Sequence, residues 1–178
     1  KLNADGAIAE NDANDWMNGR EGQFVLINGQ HQPRIEVAGT ERWRIWNACS
    51  ARYLKLRLGG QPFRLVGTDG GLLEQTQILD EILLAPAERI ELVIQPGALA
   101  QHRALTAEIY DREKMGDVAP ERTLTLAQVI IGAGTPVKLP AQLRAISPLG
   151  ESAADKRVVF SETMRMHNGQ HQMDFLVN

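Results

Sequence analysis

From Arg34 to Pro96 the chain alternates apolar and polar residues in short runs, and this period of two limits what it can become. In residues 41–47, Trp43 and Ile45 fall on one side and Arg42, Arg44 and Trp46 on the other. In residues 52–58, Leu54, Leu56 and Leu58 oppose Tyr53, Lys55 and Arg57; in 88–94, Ile90, Leu92 and Ile94 oppose Arg89, Glu91 and Val93. Such alternation marks half-buried strands. Gly59-Gly60 between two of the runs predicts a tight hairpin, since both glycines can take positive φ. Asp69-Gly70-Gly71 ends the next strand for the same reason, and Pro86, lacking a donor, marks the start or edge of a strand.

The flanks complete an all-β pattern. Residues 1–22 are rich in Asn, Asp, Ala and Gly without a sustained period, which predicts an extended strap or loop. Short strands are expected at 24–28, 34–37, 104–110 and 123–131, with a polar loop at 111–122. Residues 138–156, with Pro140 and Pro148, read as a linker carrying a short helical turn at 152–156. The last run, Met173-Asp174-Phe175-Leu176-Val177-Asn178, echoes Phe24-Val25-Leu26-Ile27-Asn28 about one domain length later. Many short strands and no long amphipathic helix argue for a β-sandwich or barrel. The expected division is a strap at 1–22, one domain at 23–137, a linker at 138–156 and the first strands of a following domain at 157–178.

A net charge of −3 leaves no basic footprint for nucleic acid. No apolar run is long enough for a transmembrane helix. A single cysteine permits no internal disulfide.

Five motifs in order carry a family resemblance. They are Val25-Leu26-Ile27-Asn28-Gly29; residues 33–37 with Gly39; Arg42-Trp43-Arg44-Ile45-Trp46-Asn47-Ala48; residues 63–71; and Leu83-Leu84-Ala85-Pro86-Ala87-Glu88-Arg89. Over residues 23–131 the chain resembles the middle cupredoxin-like domain of three-domain, laccase-like multicopper oxidases, and the tail from Arg157 resembles the start of their third domain. The family usually has Gly where Ala87 stands. The resemblance implies a cupredoxin-like Greek-key sandwich or barrel. It implies a parent that oxidises phenols, amines or metal ions at copper and reduces oxygen to water. It also implies first and third cupredoxin domains as partners, and a periplasmic or secreted location. The alternative is a copper-free relative acting as a structural or binding protein of the bacterial envelope. On either reading no catalytic residue and no cofactor are expected in this chain, and copper belongs to the parent.

The metal donors agree with that expectation. The family's block places His one and five residues after Cys and Met ten after; following Cys49 those places hold Ser50, Leu54 and Gly59. A blue copper site needs a thiolate and two imidazoles, and none of His31, His102, His167 and His171 forms a His-x-His pair. This excludes a free-standing small copper protein. One cluster has soft donors: Met164, Met166, His167 and His171 are candidates for a weak Cu(I) site, against the plainer reading of methionines packed between domains. Asp69, Glu74 and Asp80 read as turn carboxylates before an acid–base pair. Glu88 and Arg89 suggest a surface ion pair. The basic set Arg42, Arg44, Arg52, Lys55, Arg57 and Arg64, joined by Trp46, suggests a face that docks a neighbouring domain.

Overall fold

The computed structural model describes residues 1–152 and 154–178, with backbone alone for Gln170 and His171. The chain forms two compact units, Lys1–Ala145 and Ile146–Asn178.

In the first unit, β3 (Arg34–Val37), β11 (Leu124–Ile131), β10 (Gln101–Glu108), β5 (Leu54–Leu58) and β8 (Ile82–Leu84) form one sheet in that order. The second sheet runs β4 (Glu41–Trp46), β9 (Arg89–Ile94), β6 (Phe63–Thr68), β7 (Gly71–Leu79). A small hairpin, β1 (Leu26–Ile27) and β2 (Gln30–His31), turns at Asn28 and Gly29. All pairings are antiparallel except β3 with β11.

The expected alternation decides the core. Leu54, Leu56 and Leu58 from one sheet and Ile90, Leu92 and Ile94 from the other are buried in a single cluster with Phe63, Leu84 and Val129. Each fully buried side chain of this kind contributes about 1.5–3 kcal/mol before conformational entropy is subtracted. Trp43 and Ile45 pack against the cluster half-buried.

Several local expectations change. Gly59 and Gly60 do take positive φ, +45° and +79°. Yet the turn is not a hairpin within one sheet: β5 belongs to the five-stranded sheet and β6 to the other, so the glycines turn the chain across the sandwich. The hairpin is the next turn, Asp69-Gly70, joining β6 to β7. The strap contains one helical turn and a half, α1 (Ala13–Asn18). It begins because Asp12 and Asp15 form a reciprocal capping box, each carboxylate accepting the other's backbone N–H. Residues 137–143 are pinned at both ends: the buried Gln95 side chain donates to the Val137 carbonyl, and Leu143 N–H donates to Glu74 O on edge strand β7 at 2.8 Å. Of the helical turn expected at 152–156, Ala153 lies outside the described residues, and Ser152 and residues 154–156 take no helical form.

The second unit contains a hairpin, β12 (Phe160–His167) with β13 (Gln170–Val177). His167 thus ends one strand of the pair, and His171 lies on the other. The turn between the strands is Asn168-Gly169, at φ +50° and +77°, the pair that two-residue hairpins favour.

One buried amide joins the two sheets. Asn47, 1% exposed, follows β4. Its side-chain NH2 donates to Arg52 O at 2.8 Å and to Leu84 O at 3.0 Å, and its Oδ1 accepts Cys49 N–H at 3.1 Å. Its backbone N–H donates to Glu88 O and its carbonyl accepts Ala87 N–H. Ala87 is held there at φ +67°, the left-handed region that suits glycine. Two measurements follow from this corner. Asn47→Ala should lower the urea midpoint at unchanged slope, costing about 1–3 kcal/mol for each buried partner left unsatisfied. Ala87→Gly should raise stability by about 0.5–1 kcal/mol, relief of left-handed strain outweighing the entropy of a freer unfolded chain.

Candidate functional site

Three places gather chemistry-bearing side chains. The first is the outer face at the end of β4. Trp46 is 64% exposed there, beside an open groove of about 400 Å³ lined by Arg44, Thr68, Asp69, Arg89 and Glu91. Strand alternation puts Arg42, Arg44 and Trp46 outward, because Trp43 and Ile45 take the core side. Glu91 grips both Arg42 and Arg44. Gly67 makes room for it: a Cβ there would sit 3.1 Å from Glu91 Oε2. Asp69 does not serve its own turn. Its Oδ1 accepts Arg89 N–H at 3.1 Å and pairs with Arg89 Nε at 2.8 Å. Glu88, expected beside Arg89 as an ion pair, instead accepts Ala85 N–H at 2.7 Å.

The basic set does not form one face. Arg42, Arg44 and Arg64 lie on the four-stranded sheet, whereas Lys55 and Arg57 lie on the other and converge on Glu81 at 3.1 and 2.7 Å. Sequence alternation assigned each arginine to a polar side but could not say of which sheet.

The second place is a charged clasp. Glu21, from the strap, pairs with Arg52 at 3.3 Å, Arg112 at 2.8 Å and Lys114 at 3.1 Å. Lys114 also holds Glu121. Burial pushes the Glu21 carboxyl up, but the Lys114 hydrogen bond and the charges of Arg52, Lys114 and Arg112 outweigh it and hold it below its ordinary value. The Arg112 guanidinium lies over the Tyr53 ring, 5.6 Å from its centroid. The enclosed space is about 20 Å³, room for roughly one water. The segments that meet here are some 90 residues apart, so no sequence spacing announced them.

The third is the hairpin. Strand alternation and register set Phe160, Met164, Met166, Met173, Phe175 and Val177 along one face, together with Glu162 opposite Phe175, with Met164 opposite Met173 and Phe160 opposite Val177. His167 alternates to the other face, and the side chain of His171 is outside the described residues. Of the Cu(I) candidates, Met164 and Met166 share this face with Met173, and the backbone of His171 stands opposite Met166 in the register.

Elsewhere, His31 stands exposed on β2 with its ring 5.1 Å from Phe24, and His102 lies exposed on β10. Cys49 is half-buried, and that burial pushes its thiol up, against Arg52. These donors lie on separate elements, and burial favours the thiol over the thiolate, so they do not fit a blue copper centre. Among the described residues no three His, Cys, Asp or Glu side chains gather as a metal site, and no helix is long and apolar enough to cross a membrane.

A family model described as multicopper oxidase matches residues 3–107. Among solved structures, a multicopper oxidase from Campylobacter jejuni, described as a metallo-oxidase, is 44% identical with a TM-score of 0.82 over 89% of this chain and 33% of its own. Among curated proteins, the Bacillus subtilis laccase is 35% identical over 60% of this chain, and cell division protein FtsP of Photorhabdus laumondii is 44% identical over 41%. The chain spans only 21% and 16% of those two relatives' lengths.

The clasp sets an acid limit. A carboxylate held below its ordinary value contributes stability that is complete above the unfolded value, about 4.3 for Glu, and is lost as pH falls through the folded one. Glu21→Gln should therefore be less stable than the parent sequence at pH 7. The gap between the two urea midpoints should close as pH falls below about 4.

Proposed function

The chain belongs to the multicopper oxidase family, and we propose that it works there as the copper-free middle domain of a three-domain oxidase. Its task is to hold a first and a third domain so that their copper ligands meet. The parent oxidises phenols, amines or metal ions and passes the electrons to oxygen. On this reading residues 23–137 are the middle domain and residues 157–178 begin the third. Periplasmic or secreted placement belongs to the same proposal.

The one-sided hairpin carries the reading. Phe160, Phe175 and Val177 are 78%, 68% and 66% exposed. A two-stranded hairpin is marginal alone, and a face that is apolar apart from Glu162 needs a cover. Further strands of the same protein supply it, consistent with a chain that matches one third of the Campylobacter oxidase. Trp46 and its arginines, an aromatic beside paired charges at a strand end, suit docking of a neighbouring domain.

The likeness to cell division protein FtsP supports a second reading, a parent that acts as a structural or binding protein of the envelope. The parent-length protein separates the two. The oxidase shows blue absorption and consumes oxygen with a phenol or a reduced metal ion, and a binding protein does neither.

The domain assignment has its own test. Phe175→Ser should leave the unfolding of this 178-residue chain nearly unchanged. In the parent-length protein the same change should cost about 3–5 kcal/mol, the range for truncating a buried aromatic. Equal, small effects in both would refute a shared third-domain core.

A further inference from the structure

The chain contains two tyrosines, and the fold brings them face to face. β5 and β10 pair antiparallel with Leu58 opposite Leu105 and Lys55 opposite Glu108. Two further steps in that register set Tyr53 opposite Tyr110, just past the last ladder bond. Their ring centroids are 5.5 Å apart and the planes are tilted by 33°. Tyr110 is 36% exposed and Tyr53 half-buried. Both line the small polar cavity of the clasp, which Glu21, Glu108 and Glu121 also line. Neither phenol has a hydrogen-bond partner to protect it among the side-chain bonds of the described residues.

An aromatic cross-strand pair contributes about 0.5–1.5 kcal/mol by packing alone. Two phenols at this separation offer more. We propose that Tyr53 and Tyr110 form an oxidative modification site, where a one-electron oxidant joins them into an intramolecular dityrosine staple between β5 and β10. Each phenol gives one electron to the oxidant and one proton to water. The two phenoxyl radicals then form a carbon–carbon bond between ring positions next to the oxygens. The hydrogens displaced from those carbons return to the oxygens and restore both hydroxyls. The balance is two electrons and two protons lost, with two equivalents of oxidant reduced.

The staple forms easily because the fold has already fixed the encounter of its partners, the step that two free phenols must reach by diffusion. Carboxylates around the cavity help the protons leave: Thr106 and Thr123 hydroxyls hold Glu108 ionised below its ordinary value despite burial between them. The covalent link would lock the start of β5 to the end of β10, beside the clasp that anchors the strap.

The test uses the whole chain in dilute solution, photo-oxidised with a ruthenium tris-bipyridine complex and persulfate. Dityrosine fluorescence should appear on monomeric protein, and a digest should contain a peptide pair joined through residues 53 and 110, lighter by two hydrogens. Tyr53→Phe and Tyr110→Phe keep the ring packing, and each should reduce the monomer signal to background. Because no other tyrosine exists, a dityrosine signal confined to dimers would overturn the proposal. So would oxidation that consumes Trp46 and the methionines while leaving both tyrosines unlinked.

Discussion

The side chain of Asn47 is the tie on which the sandwich's open corner depends. With a single cysteine this sandwich has no disulfide between its layers, and apolar packing is non-directional. A buried amide is directional, and leaving it unpaired is costly. Asn47 stands at the end of β4 in one sheet and donates to Leu84 O in β8 of the other, while also fastening the loop that leads to β5. Any slip of one sheet over the other would break bonds that water cannot replace in a site 1% exposed. The left-handed Ala87 is part of the same arrangement, since its N–H closes the ring of bonds at the Asn47 backbone.

Around that corner the outer faces follow one electrostatic rule. Single carboxylates each gather several cations: Glu91 takes Arg42 and Arg44, Glu81 takes Lys55 and Arg57, and Glu21 takes Arg52, Arg112 and Lys114. The exposed pairs add little to stability. The Glu21 group is more buried, and it fixes the strap against the loop that follows β10. The same rule explains a glycine, because Gly67 leaves space for the carboxylate that two arginines share.

Most strands were legible because alternation is local. Trp43 and Ile45, the leucines of β5 and the Ile-Leu-Ile set of β9 fell inward as their spacing required. What was missed had weaker or conflicting local signals. β7 is long and largely polar, so it lacked the contrast that marks a buried face. α1 is too short for a hydrophobic period and rests on its two aspartates. Asn168-Gly169 was a readable hairpin signal, overshadowed by the soft donors on either side of it. The charged clasp and the tyrosine pair left no trace, because each joins segments far apart along the chain.

The sequence alone determined that this protein is made of strands, where they turn, and which side of each is apolar, since side-chain alternation and glycine conformations depend only on near neighbours. The tertiary structure decided which sheet each strand joined, and so which charges met. It turned the Gly59-Gly60 bend from a hairpin into a crossing, divided the basic residues between two faces, and aligned Tyr53 with Tyr110. Strand partners are chosen by burial and hydrogen bonding between distant segments, and no local pattern encodes that choice.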